Sequence, residues 1–505
     1  MGNRDIEEAR TYHATTKHSY TSVRTDAHYL DWDNRPMPYK LYPEVSGLAL
    51  PRDLNLARVP ALEVIAGGDA PRASGEFTLD ALTRILFCAD GLTRRASVGG
   101  EDYHFRAAPS AGALYPVEIY AALAETGEVE QGLYHFSPAD LRLRGLRRGD
   151  WRGLIARAAA GRPALLQARA VLVLSAIFWR SAWKYRARAY RYCFWDAGTM
   201  LANLLAAAAA EGLSTELVTA FADPEIEALL GIDGEREGAL CLVALGSGPA
   251  APGAAPELRP LGLETIPLSR EEVSYPDLVR MHQASRLLGP DEVAAVADAH
   301  VDSLLPPRTA YVVKPRSLEA SAGLSLGETI LRRGSTRVFA QKPIAVEDLA
   351  TIMAASNRHP RADFPPLSDT YLIVNAADGM DPGAYYYRRE SGEFELLKAG
   401  NFRREAGYLC LEQPLGADCS ALVCYMADLE RALGAFGNRA YRDVHLEAGF
   451  HGGQAYLAAY ALGRGASGLT FYDDETTKFF APHAAGKSPL LMVAIGVRRS
   501  SSDES

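Results

Sequence analysis

"RARAYRYCFWDAGTMLANLLAAAAAEGL" (residues 186–213) has a second copy far down the chain, in "GNRAYRDVHLEAGFHGGQAYLAAYALGRG" (437–465). Arg188, Ala189, Tyr190 and Arg191 face Arg439, Ala440, Tyr441 and Arg442, each pair 251 positions apart. Asp196-Ala197-Gly198 then faces Glu447-Ala448-Gly449, and Gly212 faces Gly463, at the same spacing. Farther on, "LCLVALG" (240–246) echoes "LLMVAIG" (490–496) at a spacing of 250. A drift of one residue over so long a stretch marks a duplicated domain. The alanine-rich segment is apolar nearly all round, yet it carries Asp196, Asn203 and Glu211. It therefore reads as a helix buried in protein rather than a membrane span. Each copy is expected to pack on the other, giving a homodimer built within one chain, with pseudo-twofold symmetry.

The join between the copies lies in "GSGPAAPGAAPELRPLG" (246–262), rich in Pro, Gly and Ala with little to bury. The expected division is an N-terminal arm (1–70), a first domain (71–250), a linker (251–268) and a second domain (269–505). "LDALTRILFCAD" (79–90) and "VEDLATIMAASN" (346–357) have the 3-4 apolar spacing of amphipathic helices. "VEIYAAL" (117–123), "AVLVLSAIF" (170–178), "LCLVALG", "DTYLIVNA" (369–376) and "LLMVAIG" are short apolar runs that read as buried strands. Without strict βαβ alternation, this mixture predicts an α+β fold, helices around a mixed or antiparallel sheet, in two tandem copies.

At 505 residues, 48 % apolar and 23 % charged, the composition is that of a globular protein too long for one core. A net charge of −9 without Lys/Arg blocks argues against nucleic acid as a partner. Cys88, Cys193, Cys241, Cys410, Cys419 and Cys424 lack metal-ligand spacing and read as free buried thiols, so a cytoplasmic location is expected. The polar N-terminus does not read as a signal peptide, and Ile6 spoils a myristoylation reading of Gly2. No metal site is expected: the histidines of the arm are irregularly spaced, and His445 and His451 do not share a helix face. Ser110 lacks the setting of a nucleophile elbow, and the tail "SSSDES" reads as disordered.

Function is sought where the halves diverge. In half two, "LRRGSTRVF" (331–339) gathers Arg332, Arg333, Ser335, Thr336 and Arg337, guanidinium forks and hydroxyls suited to a phosphate dianion. The matching stretch of half one, "RASGEFTLDALTRIL", lacks the cluster. Half one instead has "RAAPSAGALYP" (106–116), whose small side chains would let a flat ligand approach the backbone. Half two has only "SNRHPRADFPP" there. Half one alone also has Lys184-Tyr185, replaced in half two by Ala435-Phe436.

"RAAPSAGALYPVEIY", "KYRARAYR" followed by "DAGTMLANLLAAAAAEGL", and "GLTFYDD" (468–474) resemble signatures of the nitroreductase superfamily of flavin enzymes, and within it of the SagB-type azoline dehydrogenases. "RRGSTRVF" is similar to the phosphate-binding opening of the wider superfamily. The resemblance covers both halves and implies FMN at the interface between subunits. It implies that Arg332, Arg333, Ser335 and Arg337, joined by Arg498 and Arg499, hold the phosphate. Pro109, Ser110, Ala111 and Ala113 would line the isoalloxazine, and Gly468, Leu469 and Thr470 would support its other side. One FMN per chain follows, because the mirror-related site lacks both elements.

The resemblance further implies that Lys184 and Tyr185 form the catalytic pair. The expected activity is FMN-dependent oxidation of a thiazoline or oxazoline-type ring to the azole, on a peptide or carrier-bound intermediate. A cyclodehydratase or a carrier protein is the expected partner, and no membrane is. Two other readings stand beside it: an NAD(P)H-dependent nitro or quinone reductase, and a flavin-binding scaffold subunit of a peptide-modifying complex.

Overall fold

A computed structural model describes the chain apart from residues 1, 27, 67–74, 99–100, 249–251, 302–305, 307 and 500–505. The expected boundary at 70/71, the first linker residue and the tail fall outside the described residues.

Fourteen strands form two seven-stranded sheets. The first contains β1 (Gly47–Ala49), β2 (Val117–Leu123), β3 (Gly132–Ser137), β4 (Arg142–Arg148), β5 (Ala168–Ile177), β6 (Thr215–Val218) and β7 (Glu237–Ser247). The second contains β8 (Val312–Val313), β9 (Ser368–Val374), β10 (Gly383–Arg388), β11 (Glu393–Ala399), β12 (Ala421–Ala427), β13 (Gly465–Leu469) and β14 (Ser488–Gly496). Their orders, β1-β4-β3-β2-β5-β7-β6 and β8-β11-β10-β9-β12-β14-β13, are the same path walked twice. Every pairing in both is antiparallel, so the expected α+β duplication holds and the mixed-sheet option does not. The central strands are buried on both faces, which is why they read as apolar runs rather than alternating patterns.

The helices that matter for the site are α1 (Leu79–Asp90), α2 (Phe178–Tyr185), α3 (Ala189–Ala210), α4 (Leu326–Arg332), α5 (Val346–Ser356), α6 (Leu429–Phe436) and α7 (Arg439–Ala461). The repeated segments are α3 and α7, and they cross at equivalent residues. A Cβ on Gly198 would overlap Leu446 O and sit 2.6 Å from the Gly449 carbonyl carbon; one on Gly449 would sit 2.7 Å from Trp195 Cα. The two glycines thus mark the pseudo-twofold axis, and only a missing side chain lets the backbones meet there. Phe178–Ala210 is long and apolar enough to cross a membrane, but it is largely buried in the protein.

Charge reinforces the crossing. Asp473 of half two accepts Arg188 Nη1 at 3.0 Å and Arg191 Nη1 at 2.9 Å. Across the axis, Asp223 of half one accepts Arg439 and Arg442 Nη1 at 2.8 and 2.7 Å. All six groups are buried, so each carboxylate compensates guanidinium groups that would otherwise be stranded without water.

The arm begins with helices Glu7–Thr15 and Tyr20–Thr25. Tyr12 is wedged edge-on between the equivalent Tyr190 and Tyr441, at 5.9 and 5.6 Å. The linker has no helix or strand of its own among the described residues. It runs along the arm and the first domain, with Ile266 N donating to Leu41 O of the arm and the Arg259 carbonyl accepting from Arg147 of the domain.

Candidate active site between the halves

The small-residue loop follows the hairpin Leu92–Val98/Glu101–Arg106 and leads into β2. Its backbone is left-handed at Gly112 (φ +66°), Ala113 (+54°) and Tyr115 (+49°). Ala and Tyr each bear roughly 1–2 kcal/mol in that region, so the surroundings must impose the shape. One face of α3 does so. Asp196 accepts Ser110 Oγ at 2.5 Å and Ala111 N at 3.0 Å, and Ser110 Oγ in turn accepts Tyr115 N at 2.9 Å. Thr199 Oγ1 donates to Pro109 O at 2.8 Å, and Asn203 Nδ2 donates to Ala107 O at 3.0 Å. Burial pushes the Asp196 carboxyl up to about 7, against the bonds from Ser110 and Ala111 that favour its charged form.

The arginine-rich segment of half two arrives at the same place. Arg333 donates from Nε to Ala107 O at 2.9 Å and from Nη2 to Arg106 O at 2.7 Å, stapling the segment to the start of the loop. Tyr456 and Tyr460, one turn apart on α7, reach Ser335 Oγ and Thr336 Oγ1, each at 3.3 Å. Tyr456 also accepts Gly468 N at 2.5 Å, which ties the end of β13 to the cluster. Arg498 and Arg499 run antiparallel to residues 338–339, and the Arg498 guanidinium lies 5.5 Å from the Tyr460 ring.

Lys184 and Tyr185 close the third side. A Cβ on Gly112 would sit 3.0 Å from Tyr185 Oη and 3.3 Å from Lys184 Cδ. Burial and then Arg337 lower the Lys184 ammonium below the usual lysine range. Burial, with Tyr192 and Asp196 nearby, holds the Tyr185 phenol well above its ordinary range, although Arg337 opposes this. Tyr185 stacks on Tyr192, centroids 4.0 Å apart and planes 7° off parallel.

The structure thus brings together Pro109, Ser110, Ala111, Ala113, Lys184 and Tyr185 of half one with Arg333, Ser335, Arg337, Arg498, Arg499, Gly468, Leu469 and Thr470 of half two. Arg332 stands apart. It is 63 % exposed, and its ion partner is Glu328 on its own helix at 3.9 Å. Two donors of Arg333 are committed to backbone carbonyls. Among the described residues, no carboxylate pairs with Arg337 or Arg498. The donor set fits an anion with a flat body: free guanidinium groups on one side, a wall of methyl groups and backbone on the other.

The sequence reading missed Asp196, Thr199 and Asn203 as holders of the loop, and Tyr456 and Tyr460 as holders of the arginine segment. The first three were visible as polar residues at i, i+3 and i+7 on an otherwise apolar helix.

The mirror-related site is closed. Glu447, the equivalent of Asp196, accepts His359 Nδ1 at 2.9 Å and Leu367 N at 3.1 Å. Residues 361–363 lie along β6, and Asp363 accepts Thr219 N at 2.9 Å and Ala220 N at 2.8 Å. By strand register those amides are the equivalents of Thr470 and Phe471, so half two caps with its own carboxylate what the other side leaves uncapped. A cavity of about 40 Å³ beside His359 and Gln454 there is far smaller than a flavin.

The nitroreductase family profile matches residues 77–247 and 330–497, once in each half. The protein MJ1384 of Methanocaldococcus jannaschii, named as a nitroreductase, is 33 % identical over 159 residues, 32 % of this chain and 77 % of its own length. The trifolitoxin-processing protein TfxB of Rhizobium leguminosarum bv. trifolii is 28 % identical over 35 % of this chain. The microcin B17-processing protein McbC of Escherichia coli is 29 % identical over 25 % of it. The matches to TfxB and McbC span about half of their own lengths, 49 % and 48 %. A crystal structure of a nitroreductase-type protein from Anabaena variabilis superposes with a TM-score of 0.77 and 26 % identity, over 97 % of this chain and 99 % of that one. Two profile matches, one sheet order used twice and a site shared between the halves lead to one conclusion: the chain is a tandem-duplicated member of the nitroreductase family, and an oxidoreductase by that membership.

Proposed function

We propose that this chain is an FMN-dependent dehydrogenase that oxidises a thiazoline or oxazoline-type ring of a peptide or carrier-bound intermediate to the azole, in the cytoplasm. The observation that carries the reading is the convergence of Lys184, Tyr185 and the Asp196-held loop with Arg337 on one side of the axis only. The kinship with TfxB and McbC, named for the processing of trifolitoxin and of microcin B17, supports the reading that this chain too modifies a larger precursor.

When bound, FMN would supply the acceptor for the hydride that such an oxidation removes. The chain's own residues do the rest. Ser335, Arg337, Arg498 and Arg499 offer donors for the phosphate, with the remaining Nη1 of Arg333. Beyond the Pro109 ring, the wall 110–113 presents nothing larger than a methyl or hydroxymethyl group to the ring system. Lys184, its ammonium disfavoured by burial and by Arg337, holds a neutral amine more readily than an ordinary lysine and takes the substrate proton at Nζ. Tyr185 stays a phenol and orients the ring by hydrogen bonding. A cyclodehydratase or carrier protein would deliver the substrate.

The test is incubation of the purified chain with FMN and a thiazoline peptide. A two-dalton loss from the peptide supports the reading, and an unchanged mass with intact flavin loading rejects it. A second reading, an NAD(P)H-dependent nitro or quinone reductase, is favoured by the likeness to MJ1384. Rapid bleaching of the flavin by NADPH without peptide would select it. If the isolated chain turns nothing over, the scaffold reading takes its place.

A further inference from the structure

The pseudo-symmetry extends to the segments that precede each half, and one break in it points at the site. Asp473 accepts His18 N at 2.8 Å and donates its own N to His18 O at 3.0 Å. Across the axis, Asp223 makes the same reciprocal pair with Leu287, at 2.9 Å in both directions. His18 and Leu287 are therefore structural equivalents. Thr470 corresponds to Thr219, and Tyr192 to Asp443, by the spacing of 251 and the register of β6 on β7 and of β13 on β14. On the closed side the three positions hold Leu287, Thr219 and Asp443, and the Thr219 hydroxyl donates to Asp363 at 3.1 Å. On the open side they form a chain: Tyr192 Oη donates to Thr470 Oγ1 at 3.2 Å, and Thr470 Oγ1 lies 3.2 Å from His18 Nδ1. Tyr192 is the residue on which Tyr185 stacks.

We propose that His18 is a positioning residue for Tyr185, acting through Thr470 and Tyr192, so that the N-terminal arm belongs to the apparatus of the one open site. The proposal rests on the reading in which Tyr185 works on substrate. The direction of the chain follows from charge. Burial, and then the Arg188 guanidinium, bring the His18 imidazole down to about 3, although Asp473 opposes this. The ring is therefore neutral, and with the Phe471 backbone engaging its N–H, Nδ1 accepts from the Thr470 hydroxyl. Thr470 must then accept from Tyr192. The Tyr192 hydrogen is drawn away from Tyr185, its ring is pinned, and the face-to-face stack gives Tyr185 a fixed plane. The threonine is common to both sides, but on the open side it stands between a histidine and a tyrosine where the closed side has a leucine and an aspartate. Leucine fills the place of His18 across the axis, so packing there does not require an imidazole.

The experiment compares His18→Ala, which removes the acceptor, with His18→Asn, which keeps one near the Nδ1 position. Both are read by flavin content, by kcat and KM on a thiazoline peptide, and by the ¹⁹F resonance of 3-fluorotyrosine at position 192. His18→Ala is expected to keep wild-type flavin content and KM and to lose about tenfold in kcat, the scale of one hydrogen bond acting in a transition state. The resonance shifts in His18→Ala, and His18→Asn restores both readouts. A His18→Ala kcat within twofold of wild type overturns the proposal, and so does a His18→Asn protein no better than His18→Ala. If the wild-type chain turns over no azoline, the dehydrogenase reading has failed. The resonance then decides the chain by itself: unmoved in His18→Ala, it rejects the proposal.

Discussion

Arg442 Nη1 lies 2.7 Å from Asp223 Oδ1, a fully buried ion pair that ties the second half of the chain to the first. Its mate is the bond from Arg191 to Asp473. Removing one carboxylate strands two guanidinium groups without water. Asp223→Ala is expected to lower unfolding free energy by about 3–5 kcal/mol. Asp223 lies on the closed side, so flavin content at low temperature should stay at the wild-type level. Denaturant titration with parallel absorbance at the flavin band checks both statements.

The crossing of α3 and α7 makes a sharper prediction. Gly198→Ala and Gly449→Ala place a methyl group into opposing backbone, which no rotamer can relieve. Each should cost roughly 1–3 kcal/mol or more. Because the site is shared between halves held apart by that methyl, flavin affinity should fall with stability. A Gly→Ala exchange at the exposed Gly127, where nothing stands within 4 Å, is the control.

One flavin per chain is expected, not two, because Asp363 already occupies the amides of Thr219 and Ala220. Flavin and polypeptide quantified against each other in the purified protein decide this. A ratio of two would show that the closed side opens in solution.

Lys184→Ala should lose about 10²–10³-fold in kcat if its amine takes the proton. Lys184→Arg, which keeps the charge but cannot deprotonate, should do no better. In the wild type the rate should rise with pH through the lowered lysine value and level off earlier than an ordinary lysine would allow. Tyr185→Phe, which keeps the stack, should be the milder change.

Asp196 gives a pH signature to stability. Its folded value, about 7, lies above that of an unfolded aspartate, so the folded state binds the proton more tightly. The stabilisation is full below about pH 4 and is lost as pH rises through 7. Asp196→Asn lacks this dependence. The difference in unfolding free energy between wild type and variant should therefore decline between about pH 4 and 7 and level off above, by something on the order of a few kcal/mol in all. A flat difference would place the proton elsewhere.

The duplication was legible because its markers are local strings: the arginine pairs, the glycines of the crossing and the strands β7 and β14 recur at nearly constant spacing. Helices α1 and α5 were legible from periodicity, to within a residue of their observed ends. The convergence of the loop on the arginine segment was legible only through the family likeness, since Arg333 and Ala107 are 226 positions apart. The closing of the mirror-related site was not legible. Asp363 sits in an unremarkable proline-flanked stretch, and its role depends on two backbone amides 143 and 144 positions earlier. The holding role of Tyr456 and Tyr460 was hidden for the opposite reason: aromatic residues in a helix of this kind read as packing.

The covalent join changes what evolution can do with the fold. In a pair of identical subunits every substitution is made twice, so a carboxylate that seals one cleft seals both, and a lysine gained at one mouth is gained at the other. Joined end to end, the two copies inherit separate alleles of each position. One cleft could be surrendered to structure, as the Asp363 cap records, while its sibling was free to specialise.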